Sequence, residues 1–344
     1  MTVADPAAAA LAEATQGRRP SGGMLRYTVR RVLTALGTVV FVIVVNFVLF
    51  RLLPGDPIGL YTRGRNVSAQ QLVKLREQLN RPFLEQFLTY IRNPFSSTLS
   101  STKYNQPVWD VIYPHIWPTV LLLGVSTILS TVIGIWLGIR SGWGRGTRFD
   151  QFTTGWTLIL YAMPEFWLGM LLLLVFTGGT LAIPDLFPVN GMVTPGVDTS
   201  TPAGWLDVAW HLVLPATTLT LAYLAEYSLV MRSSLLDELG EDYLVTARAK
   251  GLRDAQVRRR HAVPNALLPT VTLIFLNIGF IVSGAITVET VYSWPGLGLL
   301  SYDALRGPDV PLLQALFLLF SLSVVLFNVI ADVLYAVLDP RVRT

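Results

Sequence analysis

Residues 243–269 read YLVTARAKGLRDAQVRRRHAVPNALLP and lie between two long apolar runs. Seven of these positions are basic: Arg248, Lys250, Arg253, Arg258, Arg259, Arg260 and His261. The stretch also contains Gly251 near its middle and ends at Pro269. A basic insert between apolar runs is typical of a loop between membrane spans, where Lys and Arg set the orientation of the chain. A docking site for another protein is the alternative interpretation.

The composition indicates a membrane protein. Of the 344 residues, 52% are hydrophobic and only 14% are charged, and the mean hydropathy is +0.52. Soluble domains usually have about a quarter of charged residues. The small net charge of +4 and the position of the basic residues between apolar runs argue against nucleic acid as a partner. The absence of cysteine excludes disulfides and thiolate metal sites.

Six apolar segments are long enough to cross a bilayer, which takes roughly 20 residues each. The sequence therefore predicts an all-α, polytopic membrane protein with six transmembrane helices. The predicted spans are 32–53, 117–139, 155–181 (broken by Pro164), 211–231, 270–290 and 312–338. Residues 1–23 are rich in Ala, with Pro, Gly and polar residues, and are predicted to be a disordered cytoplasmic tail. The transmembrane domain is then 24–344.

The Lys and Arg counts predict that both termini face the cytoplasm. The N-terminal tail has five, the loop 140–154 has three and the loop 232–269 has seven, whereas 184–210 has none and 291–311 has only Arg306. Basic residues concentrate on the cytoplasmic side of membrane proteins. The long loop 54–116 also has seven, but it exceeds the length of about 60 residues over which the rule counts reliably. The even number of predicted spans supports placing it outside. Within it, the apolar spacing of 68–91 predicts one or two short helices, with Ser68 as an N-cap, and a turn is predicted at 54–57.

The basic insert is predicted to be a short helix, a glycine corner and a second short helix. Residues 241–250 favour helix, with acidic residues at the start and Lys250 before Gly251 at the end. A second helix is expected at about 253–262, and Pro264 and Pro269 are expected to mark the return to the membrane. A loop that only sets topology does not need this much order, so the pattern favours a docking site within 232–269.

The insert resembles the cytoplasmic coupling loop of bacterial ATP-binding-cassette importer permeases. TARAKG (246–251) and RHAVPNALLP (260–269) are similar to the oligopeptide, dipeptide and nickel branch, in which the glutamate of the general signature is also missing. MLRYTVRRVLTALGTVVF from Met24, LLPGDP (52–57), VETVYSWPGLG (288–298) and DVLYAVLDPRVR (332–343) resemble the B-type subunit of that family. The segment 93–101 departs from the family pattern, which affects only an external loop.

The resemblance implies a type I importer permease of the bacterial plasma membrane. Its partners would be a second, homologous permease in a heterodimer, two cytoplasmic ATPase subunits that bind ATP and Mg²⁺, an external solute-binding protein and membrane lipids. Peptides are the implied substrates, with nickel chelates or oligosaccharides as alternatives. The implied ATPase-coupling residues are Asp242, Tyr243, Leu244, Ala247, Arg248, Ala249, Lys250, Gly251 and Leu252. The implied outer gate loop contains Trp294, Pro295, Gly296 and Gly298.

Four carboxylates in or near the spans are candidates for function, because ionisable groups are costly in a membrane. Glu165, beside the Pro164 break, and Glu226 are proposed to line the substrate path. For Glu289 and Asp332 we prefer interhelical hydrogen bonding or pairing with an arginine at the membrane interface. Two amides, Asn46 and Asn277, are predicted to bridge helices.

Other functional classes find little support in the sequence. It has no GxxxxGK[ST] loop, so this chain is expected to be a non-catalytic subunit that carries no cofactor. Its three histidines, His115, His211 and His261, are too scattered to predict a metal site or a catalytic group. A stand-alone secondary transporter often has paired inverted repeats, and none is evident. An intramembrane enzyme would need a catalytic constellation that the chain lacks.

Overall fold

In a computed structural model of the chain, the described residues are 23–51, 73, 76, 82–92, 100–177, 186–281, 286–307 and 309–338. Helices dominate this part of the chain. They are α1 (Gly23–Arg51), α2 (Phe83–Arg92), α3 (Val108–Trp143), α4 (Arg148–Ala162), α5 (Glu165–Phe176), α6 (Pro202–Glu238), α7 (Asp242–Ala249), α8 (Asp254–Val257), α9 (Val263–Ile281), α10 (Ile286–Val291), α11 (Leu297–Arg306) and α12 (Val310–Leu338). A π-helical turn, Arg258–Ala262, joins α8 to α9.

The described helices include enough apolar length for six membrane spans. Five stretches pass by length and composition alone: Thr28–Phe50, Val108–Trp143, Pro202–Glu238, Asp254–Ile278 and Val310–Val333. Helices α4 and α5 pass together, as a pair bent by 105°. If this bent pair is one span, the total is six. The predicted fold class, an all-helical polytopic membrane protein, is confirmed.

The bend between α4 and α5 lies at the predicted break, Pro164. A proline ring crowds the preceding residue and disfavours its helical conformation. Met163 accordingly has extended dihedrals, with φ −80° and ψ 129°. Pro164 is the N-cap of α5, so Glu165 is the first residue of that helix. A carboxylate at this position faces the positive end of the helix dipole.

The fifth span differs from its predicted position, 270–290. Helix α9 begins at Val263, and Glu289 belongs to the separate short helix α10. Pro264 does not end the helix: it directly follows the π-helical turn Arg258–Ala262, and local π adjustments can accommodate a proline within a helical run. Pro269 lies inside α9. The expectation that these two prolines separate the insert from the membrane was therefore wrong, and α8, the π-turn and α9 form one helical run.

Other boundaries of the predicted loops also differ or lie outside the described residues. Helix α6 extends to Glu238, so the predicted loop 232–269 begins inside a helix. The turn at 54–57, Ser68 and the predicted tail 1–23, apart from Gly23, lie outside the described residues. The described end of the predicted 68–91 helix is α2, whose Tyr90 is buried.

Two polar contacts join the first span to the last. The Asn46 side chain donates from Nδ2 to the Gln314 carbonyl oxygen at 3.1 Å. The Arg31 guanidinium lies 3.2 Å from the Asp332 carboxylate. Asn46 is thus a helix–helix bridge, and Asp332 pairs with an arginine, as predicted. Such contacts lower the cost of polar groups within a helical bundle in lipid.

A stripe of three glycines brings the backbones of α3 and α6 into contact. Gly134, Gly138 and Gly142 are spaced four residues apart, so they lie on one face of α3. A Cβ atom at Gly138 would lie 2.6 Å from the Met231 Cβ and 2.7 Å from the Ser228 carbonyl oxygen. Small residues at this spacing permit close helix packing in membranes, where side-chain hydrophobicity gives no drive to associate.

We expect Gly138→Leu to prevent these two helices from packing, because the added atoms would meet backbone as well as side chain. Overpacking of this kind costs about 1–3 kcal/mol or more. The amount of protein extracted folded from membranes, followed by size-exclusion chromatography, would measure the loss. Gly124→Leu on the same helix is the matched control, because a Cβ there meets no atom within 4 Å. Equal yields of the two variants would contradict the packing role of the stripe.

Candidate functional site

Helix α7, the first helix of the basic insert, packs against the ends of the spans. Leu244 and Ala247 are buried on one side of it. They belong to an apolar cluster with Met231 and Leu235 of α6 and with Val257, Ala262 and Ala266 of the α8–α9 run. Burying a leucine side chain contributes about 1.5–3 kcal/mol. Helix α7 is thus attached to two different spans by its apolar face.

The Tyr243 hydroxyl adds a polar link between the same elements. It donates to Glu238 Oε2 at 2.5 Å, at the end of α6, and accepts from Asn265 Nδ2 at 2.9 Å, in the first turn of α9. Asn265 also donates to the His261 carbonyl oxygen, in the π-turn. Burial, followed by the hydrogen bond to Glu238, raises the pKa of the Tyr243 hydroxyl, so it remains a donor at neutral pH. Tyr243 therefore joins α6, α7 and α9.

The opposite side of α7 faces away from the protein. Asp242, Val245, Thr246 and Ala249 are exposed and recur at the i, i+3, i+4 and i+7 positions of one helical face. Val245 is 60% exposed. Arg248 and Lys250 are also exposed, and Arg248 lies 3.6 Å from Asp254. This face carries one apolar residue within a charged surround and is available for a partner.

Gly251 ends α7 in the way the sequence predicts. Its φ of +79° lies in the left-handed region, which favours glycine. Its N–H donates to the Arg248 carbonyl oxygen at 2.9 Å, and the Leu252 N–H donates to that of Ala247 at 3.4 Å. Bonds of this type satisfy the last carbonyls of a helix and turn the chain sharply. The turn leads into α8, whose Gln256 side chain accepts from the Arg253 N–H at 3.1 Å.

A polar cluster lies within the spans where α5, α6 and α9 approach one another. Glu226 lies three positions from Tyr223 on α6, and Glu165 of α5 lies within electrostatic range of Tyr223, so both predicted carboxylates lie near this tyrosine. Asn277 of α9 donates to Glu226 Oε2 at 3.0 Å, as expected of a helix–helix bridge. Glu165 makes no hydrogen bond or ion pair with another described residue. A half-buried carboxylate without a partner in a span suggests a functional role.

The segment WPGLG forms a buried junction at the other end of the bundle. Glu289 is fully buried and accepts from Gly298 N at 2.7 Å, from Leu299 N at 3.0 Å and from Thr119 Oγ1 of α3 at 2.8 Å. Trp294, also fully buried, donates from Nε1 to the Pro118 carbonyl oxygen at 2.9 Å. The Glu289 carboxylate thus caps the first turn of α11 and binds α3. The expected interhelical hydrogen bond of Glu289 is present, although Glu289 lies outside a spanning helix.

The chain matches two family models in chain order. Residues 130–344 match the binding-protein-dependent transport system inner membrane component, and residues 24–122 match the N-terminal part of the same membrane component. The chain belongs to this family of permeases. The match begins at Met24, where the resemblance begins in the sequence, and the predicted family is confirmed. The permease is accordingly a multi-pass protein of the bacterial inner membrane.

Three similar proteins illustrate the range of the family. The permease is 35% identical over 340 residues to the dipeptide transport system permease protein DppB of Escherichia coli K12, which covers 93% of this chain and 99% of that protein. A putative peptide permease protein of Brucella suis is 37% identical over 325 residues, with the same coverage. The glutathione transport system permease protein GsiC of Escherichia coli O6:H1 is 36% identical over 323 residues, again with that coverage.

The nine residues predicted for ATPase coupling divide into two groups in the permease. Asp242, Arg248, Ala249, Lys250 and Gly251 are exposed. Leu244 and Ala247 are buried in the permease itself, and Tyr243 and Leu252 are partly buried against it. These four side chains hold α7 in place and do not form its exposed surface. Val245 and Thr246 do lie on that surface, and the helical spacing from Asp242 could have identified both.

The permease has a partly buried ion pair, Arg232 with Asp150, that the sequence did not predict. Arg232 Nε donates to Asp150 Oδ1 at 2.6 Å and Arg232 Nη2 donates to Asp150 Oδ2 at 3.0 Å. Asp150 also accepts from the Gly146 N–H at 2.9 Å. The pair joins the start of α4 to α6. Arg232 is the first residue of the predicted loop 232–269, where it was counted as a loop charge. A count of charges does not show which arginines form ion pairs. Among the described residues, no cluster of three or more His, Asp or Glu is placed to hold a metal ion.

Proposed function

We propose that the permease forms half of the translocation pore of an ATP-driven peptide importer. A second, homologous permease completes the pore, two cytoplasmic subunits bind and hydrolyse ATP with Mg²⁺, and an external solute-binding protein delivers the substrate. This chain contributes no catalytic group and no cofactor. The peptide substrate is supported by the names of the three relatives, which are dipeptide, peptide and glutathione permeases.

The observation that carries the proposal is the two-sided character of α7. One face is packed on α6 and the α8–α9 run through Leu244 and Tyr243, and the other presents Val245 to a partner. A partner that moves α7 would therefore move two spans with it. We infer that an ATPase subunit binds the exposed face and that its closure on ATP changes the pore between inward- and outward-facing states, by rigid-body motion.

The proposal places both termini and α7 in the cytoplasm. The excess of Lys and Arg in 140–154 and 232–269 over 184–210 supports this orientation. The chain has no cysteine, so single cysteines are unique labels. Reaction of a cysteine at Thr199 with a membrane-impermeant maleimide added to intact cells, together with protection of one at Gly146, would support it. The reverse pattern would refute it.

We further propose that Glu165 and Glu226 lie on the substrate path. A carboxylate can pair with the ammonium group at the N-terminus of a peptide, and Glu165 has no described partner of its own. On the outer side, Trp294, Pro295, Gly296 and Gly298 are proposed to shape the outer gate. The burial of Trp294 and the hydrogen bond from Gly298 to Glu289 would keep this outer loop rigid.

We expect Glu226→Gln to lower peptide uptake about tenfold, which corresponds to about 1.4 kcal/mol. The variant keeps an oxygen that can accept from Asn277, so assembly should persist while the charge is lost. Initial uptake rates at limiting substrate measure the effect, and co-purification of the ATPase subunits checks assembly. Asp237→Asn, an exposed carboxylate on the same helix, is the control. Wild-type uptake by Glu226→Gln would remove Glu226 from the substrate path.

The function itself can be tested by reconstitution. The permease, its second permease and the ATPase subunits would be inserted into liposomes with the solute-binding protein outside. ATP-dependent accumulation of a labelled dipeptide would support the proposal, and omission of ATP is the control. Accumulation of a nickel chelate or an oligosaccharide instead of the peptide would refute the peptide substrate. It would still support ATP-driven import by the same set of subunits. Accumulation of the dipeptide by the permease alone would refute the proposal that it is a subunit of an ATP-driven importer.

A further inference from the structure

An exposed apolar stripe on α3 ends at an arginine. Leu129, Val132, Ile133 and Trp136 are exposed and recur at i, i+3, i+4 and i+7, so they form one continuous outer face. Arg140, also exposed, continues the same face one turn beyond Trp136. From Leu129 to Arg140 the stripe is about 16 Å long at 1.5 Å per residue. This is about half the thickness of the hydrocarbon core of a bilayer.

The arginine at the end of the stripe has aromatic neighbours in place of an acidic partner. The Arg140 guanidinium carbon lies 4.5 Å from the centre of the Phe149 ring and 5.4 Å from that of Trp136. In the part of the chain that the structure describes, no carboxylate lies within ion-pair distance of it. Arg232, at the same end of the bundle, is by contrast paired with Asp150.

A second arginine lies beside the first. The Arg258 guanidinium carbon is 5.8 Å from the centre of the Trp143 ring. Trp143 follows Arg140 by three positions on α3, which makes the two side chains neighbours on the helix surface. Arg258, like Arg140, has no described acidic partner. Each guanidinium therefore lies over a tryptophan of α3, and these two tryptophans, Trp136 and Trp143, are seven positions apart at the end of the apolar face.

This arrangement has the chemistry of a site for an anionic lipid headgroup. A guanidinium that lies on an aromatic ring keeps its N–H groups at the ring's edge free, and these match the oxygens of a phosphate. Tryptophan is enriched at the level of the headgroups in membrane proteins, and basic pockets there bind anionic lipids. The apolar stripe that leads to the arginines suits an acyl chain. A free phosphate would make no use of the stripe, and an acidic protein segment would have to enter the headgroup region.

We propose that Arg140 and Arg258 bind the phosphate of an anionic phospholipid whose acyl chain lies along Leu129, Val132, Ile133 and Trp136. The site depends on the fold and on the membrane, not on the identity of the transported substrate. It lies at the same end of the bundle as α7, since Trp143 borders the apolar cluster that holds Leu244. The bound lipid would therefore contact the elements that α7 joins.

Native mass spectrometry of the purified complex is the first test. The complex would be prepared from membranes containing phosphatidylglycerol, and lipid adducts would be compared between wild type and the double variant R140Q/R258Q. We expect the wild type to retain phosphatidylglycerol and the double variant to lose at least about nine-tenths of it, a tenfold weakening of binding. The matched control is R306Q, because Arg306 also lies over an aromatic ring, Tyr302, but at the other end of the bundle. Equal retention by all three proteins would overturn the proposal.

A second measurement leaves both arginines in place. Val132→Cys gives the chain its only cysteine, which can carry a fluorescent label on the stripe. The labelled complex would be placed in vesicles of phosphatidylcholine with one quarter phosphatidylglycerol, with brominated chains on one lipid or the other. If brominated phosphatidylglycerol quenches the label several-fold more strongly per mole than brominated phosphatidylcholine does, the result supports the site. Equal quenching by the two lipids, or no quenching because the second permease covers the stripe, would overturn it.

Discussion

Replacing Val245 with aspartate should weaken binding of the ATPase subunit at least about 100-fold. Val245 is the exposed apolar residue at the centre of the outer face of α7. Burying a valine in an interface contributes about 1.5–3 kcal/mol, and a buried aspartate without a partner would add a cost of desolvation. Every 1.4 kcal/mol is a tenfold change in affinity. Co-purification of the ATPase subunits from detergent and the ATPase activity of the purified complex measure the loss.

Two comparisons separate docking from general damage. Val189→Asp makes the same change at a valine that is 53% exposed in the segment between α5 and α6, and it should leave ATPase binding intact. Tyr243→Phe removes only the hydroxyl that joins Glu238 and Asn265. This variant should still bind the ATPase but transport less peptide per ATP hydrolysed. If Val245→Asp retained the ATPase subunits at wild-type levels, α7 would not be the docking element.

Glu289→Gln should destabilise the folded permease by about 3 kcal/mol. One carboxylate oxygen accepts from both Gly298 N and Leu299 N, and the other accepts from Thr119 Oγ1. A glutamine has one acceptor oxygen, so its NH₂ group must face donors on one side of this fully buried site. A lost hydrogen bond costs about 0.5–1.5 kcal/mol, and a buried donor left unpaired costs about 1–3 kcal/mol. The midpoint of thermal unfolding in detergent should fall by several degrees.

The control for this change is Asp303→Asn on α11. Asp303 is a partly exposed carboxylate on the helix that Glu289 caps, and its contact with Lys103 is long, at 3.8 Å. Exposed ion pairs contribute at most about 1 kcal/mol, so Asp303→Asn should leave the midpoint almost unchanged. An unfolding midpoint for Glu289→Gln within the error of the control would show that the WPGLG junction does not depend on the carboxylate.

The fold could be predicted from the sequence because membrane spans are set by composition over long stretches. The bend at Pro164 was predictable for a local reason, since proline constrains its own backbone and that of the residue before it. The turn at Gly251 was predictable in the same way. Pro264 and Pro269 were misleading because their effect depends on position within a helix. Within a spanning helix, neighbouring groups and local π-helical adjustments can satisfy the carbonyl that a proline leaves free.

The candidate site was less predictable because burial depends on which helices meet. The resemblance located α7, but it could not show that Leu244 and Ala247 face inward while Val245 faces outward. Glu226 is three positions from Tyr223 on α6, but Glu165 lies 61 positions before Glu226 in the sequence, and only the packing of α5 against α6 brings it near Tyr223. The pair of Arg232 and Asp150 joins residues 82 positions apart. No local pattern contains this information.

The contact between α3 and α6 also limits how the length of the chain can change. Gly134, Gly138 and Gly142 put no side chain of α3 between the two helices, so the register is fixed by direct contact of the α3 backbone with α6. A helix turns about 100° per residue, and one inserted residue between Gly124 and Gly134 would rotate all three glycines away from α6. Insertions or deletions in homologous chains should therefore be absent from this part of α3 and should concentrate in the loops. The three glycines fix the position of α3 on α6, and other parts of the chain can vary in length without disturbing this contact.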